Sequence, residues 1–152
     1  MIEPLLDLLP QLGALFLSAF FAATLLPGGS EAAVIAFILT YPDASFLACV
    51  FATMGNTLGG LTNWWLGRYC LHFQDRRWFP VSPTRLQYVH QRFVRYGQWS
   101  LLFSWLPLIG DALCLVAGVA KLSLVRAFLW VVVGKAARYA ALVYGTNTFI
   151  LS

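Results

Sequence analysis

Charge is scarce in this chain. The 10 Lys and Arg and 6 Asp and Glu make up 11% of its 152 residues, against 60% apolar residues and a mean hydropathy of +0.74. A water-exposed domain carries roughly a quarter of its residues as charge, so a soluble globular fold is excluded and an integral membrane protein is expected. Neither Lys nor Arg occurs before Arg68. A cleavable signal peptide needs a basic start, so the N-terminus is expected to stay on the mature protein. Cysteine is limited to Cys49, Cys70 and Cys114, without a CxxC pair, and histidine to His72 and His90. That scarcity leaves no metal-ligand cluster and no disulfide framework; small buried thiols, no metal and no cofactor are expected. The net charge of +4 does not point to nucleic acid either, because the basic residues lie in and beside apolar segments rather than along one solvated face.

What the chain does have is a series of uncharged runs. Residues 1–10, with Glu3, Pro4, Asp7 and Pro10, read as an interfacial turn of helix. Gln11 to Leu26 is uncharged but only 16 residues long, short of the roughly 20 that cross ~30 Å of hydrocarbon. Pro27-Gly28-Gly29 breaks it. Ser30 then reads as the N-cap, and Glu31 as the first-turn acid, of a second short helix from Ala32 to Tyr41. Ala44 to Gly67 is 24 residues without a charge, ample for a full crossing. Within it Gly55, Gly59, Asn63 and Gly67 recur every four residues as a small and polar packing stripe. Trp64, Trp65 and Arg68 mark the headgroup level at its end.

Tyr69 to Tyr96 is the hydrophilic segment, with Arg76, Arg77, Arg85, Arg92 and Arg95. Ser82-Pro83 opens a helix there whose Leu86, Val89 and Phe93 share a face, an amphipathic helix on the membrane surface, cytoplasmic by the positive-inside rule. His72 and His90 read as solvated. Trp99 to Ala120 repeats the pattern of short arm, break and short arm, ending at Lys121. Ala127 to Leu151 is a second full crossing, interrupted by Lys135 and Arg138 near the bilayer midplane, three residues apart and so on one side of the helix.

Two breaks organise these runs. Leu25-Leu26-Pro27-Gly28-Gly29-Ser30-Glu31 and Trp105-Leu106-Pro107-Leu108-Ile109-Gly110-Asp111 lie 80 positions apart and share a four-residue step from proline to carboxylate. At about the same shift Gly55 matches Gly134 and Gly59 matches Arg138. Each half reads as a re-entrant hairpin followed by a crossing, the weak internal symmetry of an inverted repeat. The expected fold is an all-α integral membrane protein with two re-entrant helical hairpins, two full transmembrane helices and one amphipathic cytoplasmic helix. It forms a single membrane domain over residues 1–152, with repeat halves at about 11–68 and 97–151 and the cytoplasmic segment at 69–96. A plain four-helix bundle, in which both hairpins cross, is the rival. Re-entry puts both termini outside and gives eight basic residues inside and none outside; crossing gives six against two. The positive-inside rule favours re-entry.

Irregular backbone at membrane depth needs protein or a wet cavity around it. Glu31 and Asp111 are expected to line such a cavity opposite Lys135 and Arg138, since four such residues left unpaired cost together roughly 10 to 14 kcal/mol on insertion scales. The bases would hold an anionic headgroup, most simply a phosphate. One acid, alternating between apolar and cationic surroundings, would load and release a proton. The plainer reading makes Glu31 with Lys135 or Arg138 a static ion pair that fixes helix register. Arg68 either snorkels to the interface or faces the cavity mouth. Gly55 and Gly59 read first as packing glycines, and Pro27, Gly28, Gly29, Pro107 and Gly110 as hairpin breaks. An enzyme of lipid phosphates would need a nucleophile with a base in reach, and neither histidine lies in a membrane segment, so no catalytic residue and no enzyme is expected. A non-catalytic membrane assembly or partner protein stays open, as does an oligomer.

At these residues the chain resembles the DedA family, also called the SNARE-associated or VTT-domain family, and in particular its short YqaA-like branch, from Ser18 to Gly145. Leu26-Pro27-Gly28-Gly29-Ser30-Glu31 is similar to the family's proline-rich re-entrant motif ending in glutamate. Gly55-Asn56-Thr57-Leu58-Gly59 followed by Trp65-Leu66-Gly67-Arg68 is similar to its GxxxG segment ending in Gly-Arg, with Trp where tyrosine is usual. The second hairpin departs from the pattern. Where members commonly carry Arg-Phe-x-Pro-x-x-Arg, this chain has Ser104-Trp105-Leu106-Pro107-Leu108-Ile109-Gly110 before Asp111 and lacks both arginines, although Ala117-Gly118 matches the downstream end. Lys135 and Arg138 are read as supplying the missing positive charge. The resemblance implies a multi-pass bacterial inner-membrane protein of membrane lipid homeostasis. Members of the family act as undecaprenyl phosphate or phospholipid translocases or as scramblases, some driven by proton motive force. Membrane lipids with an anionic headgroup, and protons, are the partners it implies.

Overall fold

Long uncharged runs must satisfy their backbone polar groups internally, and helix is the form they take here. The computed structural model describes residues 3–24, 29–73, 83–106 and 109–149, and every regular element among them is helical. In chain order these are α1 (Glu3–Thr24), α2 (Ser30–Thr40), α3 (Ser45–Cys70), α4 (Pro83–Arg95), α5 (Ile109–Val119) and α6 (Leu124–Phe149). Short 3₁₀ segments lie at Pro42–Ala44 and Leu71–Phe73, and a longer one at Gly97–Trp105. Three stretches, Asp7–Thr24, Pro42–Cys70 and Leu124–Phe149, are long and apolar enough to cross a membrane by length and composition. The apolar helices α2 and α5 have 11 residues each, about 16 Å of rise, half the hydrocarbon thickness. Pro27, Gly28, Pro107, Arg76, Arg77 and the side chains of Arg85, Leu86 and Val89 lie outside the described residues.

Three features depart from the sequence reading. First, α1 runs unbroken through Pro10 for 22 residues, joining the acidic start to the apolar arm and giving a third helix of membrane-spanning length where two were expected. Pro10 withholds one N–H, and the carbonyl that loses it, four residues earlier, lies in the first turn, where water or headgroups can serve it. Second, the first arm of the second hairpin is a 3₁₀ segment of nine residues, where an α-helical arm like the first was expected. Third, His90, expected in solvent, is half-buried and its Nδ1 pairs with the Ala120 carbonyl. His72 is exposed and stacks on Tyr69 at 5.7 Å.

The chain divides into two compact units, residues 1–59 with 135–152, and residues 60–134. In the first, Leu12, Ala19, Val34, Ile38, Ala52 and Tyr139 are among the core residues from α1, α2, α3 and α6. Small residues set how closely α1 and α3 approach. A Cβ added at Gly59 would stand 2.5 Å from the Ala23 Cβ and 2.8 Å from the Phe20 carbonyl oxygen, and one at Gly55 would run into the Phe16 carbonyl. In the second unit Phe93, Leu101, Cys114, Ala117 and Val131 are core residues. There α3 and α5 meet the same way: a Cβ at Gly67 would meet the Leu115 carbonyl, and one at Gly118 the Trp64 carbonyl. The glycine stripe of α3 thus lies where backbones touch, with Asn63 half-buried within it. Helix α5 ends in a Schellman turn. Lys121, at φ 58°, donates to Gly118 at 3.1 Å and Leu122 to Ala117 at 3.0 Å. Trp64 Nε1 pins that turn through the Leu122 carbonyl at 3.1 Å.

Candidate functional site

The start of α2 organises the polar cluster of the first unit. Gly29 takes the N-cap position without a side-chain cap bond, and the helix begins at Ser30. Ser30 is therefore not the cap that its type suggests. Its hydroxyl is buried and accepts a hydrogen bond from the Tyr139 hydroxyl at 2.9 Å. A phenol fully buried on α6 needs an acceptor, and Ser30 supplies it.

One residue on, Glu31 sits in the first turn of α2, where the helix dipole favours a negative charge. Its Oε1 is ion-paired with Nη2 of Arg138. The Arg138 side chain is 13% exposed and that of Glu31 30%, so the carboxylate is the more accessible member. One turn earlier on α6, Lys135 is buried and donates to Oδ1 of Asn56. The Asn56 Nδ2 in turn donates to the Ala19 carbonyl at 3.1 Å. Lys135 and Arg138 bracket the centre of the 26-residue α6, the depth at which a cation needs a partner. On α3 the hydroxyls of Thr53 and Thr57 flank Asn56, both buried, that of Thr57 without a hydrogen-bond partner among the described residues. The cluster therefore combines a carboxylate, a guanidinium, an ammonium, an amide and several hydroxyls inside apolar helices.

Of the five candidate binding residues, Glu31, Lys135 and Arg138 fall in this first unit. Arg68 and Asp111 belong to the second. Arg68 is exposed on α3, its guanidinium 5.9 Å from the centre of the Trp64 ring. Asp111 is half-buried in the first turn of α5, as Glu31 is in that of α2. Gly110, just before it, is buried where a Cβ would run into the Ser104 backbone; Gly29 has open space around it. Among the described residues no group of three or more His, Cys, Asp or Glu side chains could hold a metal ion. Sequence reasoning did not single out Asn56 or Tyr139 as site residues. The available signals were a lone amide inside an uncharged run, and a tyrosine one turn after Lys135 on the same helix face.

These residues all fall inside the region that matches the VTT domain, residues 14–148. The inner membrane protein YqaA of Escherichia coli (strain K12) is 41% identical over 136 residues, covering 90% of this chain and 91% of its own length. The protein of the same name from Shigella flexneri matches to the same extent. An uncharacterized protein of Haemophilus influenzae is 36% identical over 146 residues, covering 90% of this chain and 88% of its own. No solved structure matches. With its apolar helices and these relatives, the chain belongs to the VTT-domain, or DedA, family and is a multi-pass protein of the inner membrane.

Proposed function

We propose that this chain moves an anionic lipid or lipid phosphate across the inner membrane in a proton-linked exchange that supports membrane homeostasis, with Glu31, Lys135 and Arg138 as its headgroup site. The observation that carries this reading is the Glu31–Arg138 ion pair at mid-helix, with buried Lys135 one turn away. A guanidinium that meets a carboxylate can meet a phosphate in the same way, by charge and by paired N–H donors. Glu31 therefore stands where a headgroup oxygen would, and the two anions compete for Arg138. A proton on Glu31 removes one competitor, which links lipid loading to proton binding. The Ser30 hydroxyl accepts from Tyr139, and the one carboxylate base of the cluster, Glu31, is engaged by Arg138 rather than by a hydroxyl, an arrangement suited to holding charge rather than to activating a nucleophile. That favours a carrier over a lipid-phosphate enzyme.

The same reading takes α2 and α5 as half-membrane arms of two re-entrant hairpins within one membrane domain over residues 1–152. It keeps the inverted repeat, places segment 69–96 in the cytoplasm, and holds Asp111 and Arg68 as further binding or proton-carrying residues. The shortness of α2 and α5 supports it, as does the acid in the first turn of each.

Reconstitution in liposomes with labelled lipids tests the function. The wild type is expected to speed leaflet exchange of an anionic lipid over a neutral one, Glu31→Gln to remove its dependence on a pH gradient, and Arg138→Gln to abolish it. If neither the wild type nor Glu31→Gln changes exchange at any pH, translocation fails. The cluster is then a static ion pair in a membrane assembly protein.

A further inference from the structure

We infer that a cleft at the C-terminal end of α4 is a second, separate lipid site, which anchors an anionic phospholipid of the adjoining leaflet by its phosphate. The cleft has a volume of about 460 Å³ and is lined by Tyr88, Arg92, Phe93, Tyr96 and Gly97. That size is within the range of small-molecule sites. Phe93, 9% exposed, forms its floor, while Tyr88 and Tyr96 are 56% and 65% exposed. The Arg92 guanidinium lies 5.0 Å from the centre of the Tyr88 ring and that of Arg95 5.4 Å from the Tyr96 ring. Each cation is thus held against an aromatic face, and among the described residues neither is ion-paired with a carboxylate. Gly97 keeps the cleft open, since a Cβ there would stand 2.6 Å from the Phe93 ring.

Two properties of these walls select the occupant. The titratable side chains of α4 are all basic or aromatic, with no Asp or Glu from Pro83 to Arg95, so the ligand is an anion. The remaining lining is aromatic, so the ligand also carries an apolar body. A phosphate joined to an acyl glycerol meets both requirements; a bare inorganic anion meets only the first. The position along the chain agrees. Tyr96 directly precedes the apolar segment Gly97–Trp105, with Trp99 exposed within it, and tyrosine and tryptophan are the residues of the headgroup level. A lipid whose phosphate rests on Arg92 would lay its chains beside that segment. This is anchoring, not transport, and it does not depend on the mid-helix cluster.

The test is native mass spectrometry of the full-length protein from detergent, with phosphatidylglycerol titrated against phosphatidylcholine. Binding is read in the wild type and in an Arg138→Gln background, so that lipid held at the mid-helix cluster is told apart from lipid held at the cleft. The anionic lipid is expected to be preferred, and Arg92→Gln to weaken its binding by roughly tenfold in both backgrounds. Gly97→Ala, which adds a methyl against the Phe93 ring in the cleft wall with no change of charge, should weaken it as well. Arg126→Gln removes the same charge at an exposed position on α6 and should leave it unchanged. Equal losses from Arg92→Gln and Arg126→Gln would reduce the effect to general surface adhesion and overturn the site. Should Arg92→Gln not purify, an unaltered preference in Gly97→Ala overturns it. Full displacement of the lipid by inorganic phosphate would also overturn it, as the mark of a bare anion site.

Discussion

An arginine near the middle of a membrane-length helix is tolerated only with a partner, and Arg138 has Glu31. Replacing either by glutamine leaves the other charge in apolar surroundings. Each single change is expected to lower stability by about 1–3 kcal/mol, toward the lower end because Glu31 is partly open to its surroundings. The double variant should lose less than the sum of the two, and thermal unfolding in detergent measures all three. Simple additivity would contradict the pair. Glu31, Lys135 and Arg138 were legible in the sequence because a charge inside an uncharged run is conspicuous. Which base meets Glu31 was not, since spacing along α6 carries no information about its register against α2. Nor were the roles of Asn56 and Tyr139 legible: an amide between Gly55 and Thr57, and a tyrosine in an apolar helix, read as packing until Lys135 and Ser30 are found beside them. Ser30 misled in the other direction. Its type favours a cap, but the buried phenol of Tyr139 takes its hydroxyl and Gly29 holds the capping position.

At the scale of elements, glycines divide by what surrounds them. A methyl at Gly59 meets Ala23 and the Phe20 carbonyl, whereas Gly13, within α1, has nothing within 4 Å of an added Cβ. Gly59→Ala is expected to lose about 1–3 kcal/mol as α1 and α3 are forced apart. Gly13→Ala should gain up to about 1 kcal/mol from helix propensity. Unfolding of the two variants side by side checks this, and equal effects would contradict the close approach. The long helices α3 and α6 and the short α2 and α5 were readable from run length and from their proline and glycine boundaries. The continuity of α1 was not, because a proline near the start of a helix and one that ends it look alike in sequence. The 3₁₀ form of Gly97–Trp105 was also hidden, since these nine uncharged residues fit either winding. His90 pairs with a carbonyl 30 positions on, a contact no local pattern records.

For the whole molecule, membership of the VTT-domain family and residence in the inner membrane rest on a match over residues 14–148 and on relatives that align with 90% of the chain. The proposed re-entrant topology makes a separate demand: a reporter fused at the C-terminus should be active on the periplasmic side, and a cytoplasmic C-terminus would contradict the inverted repeat. The composition and the uncharged runs made a helical, multi-pass membrane protein legible in the sequence, because a bilayer restricts what each residue type can do. The most direct measurement is leaflet exchange of a labelled anionic lipid in liposomes holding wild type or Arg138→Gln, the variant confirmed as folded by its circular dichroism. The wild type is expected to exceed empty liposomes and the variant to fall at least tenfold below it. Wild type no faster than empty liposomes under any pH gradient would contradict a headgroup site at Glu31, Lys135 and Arg138.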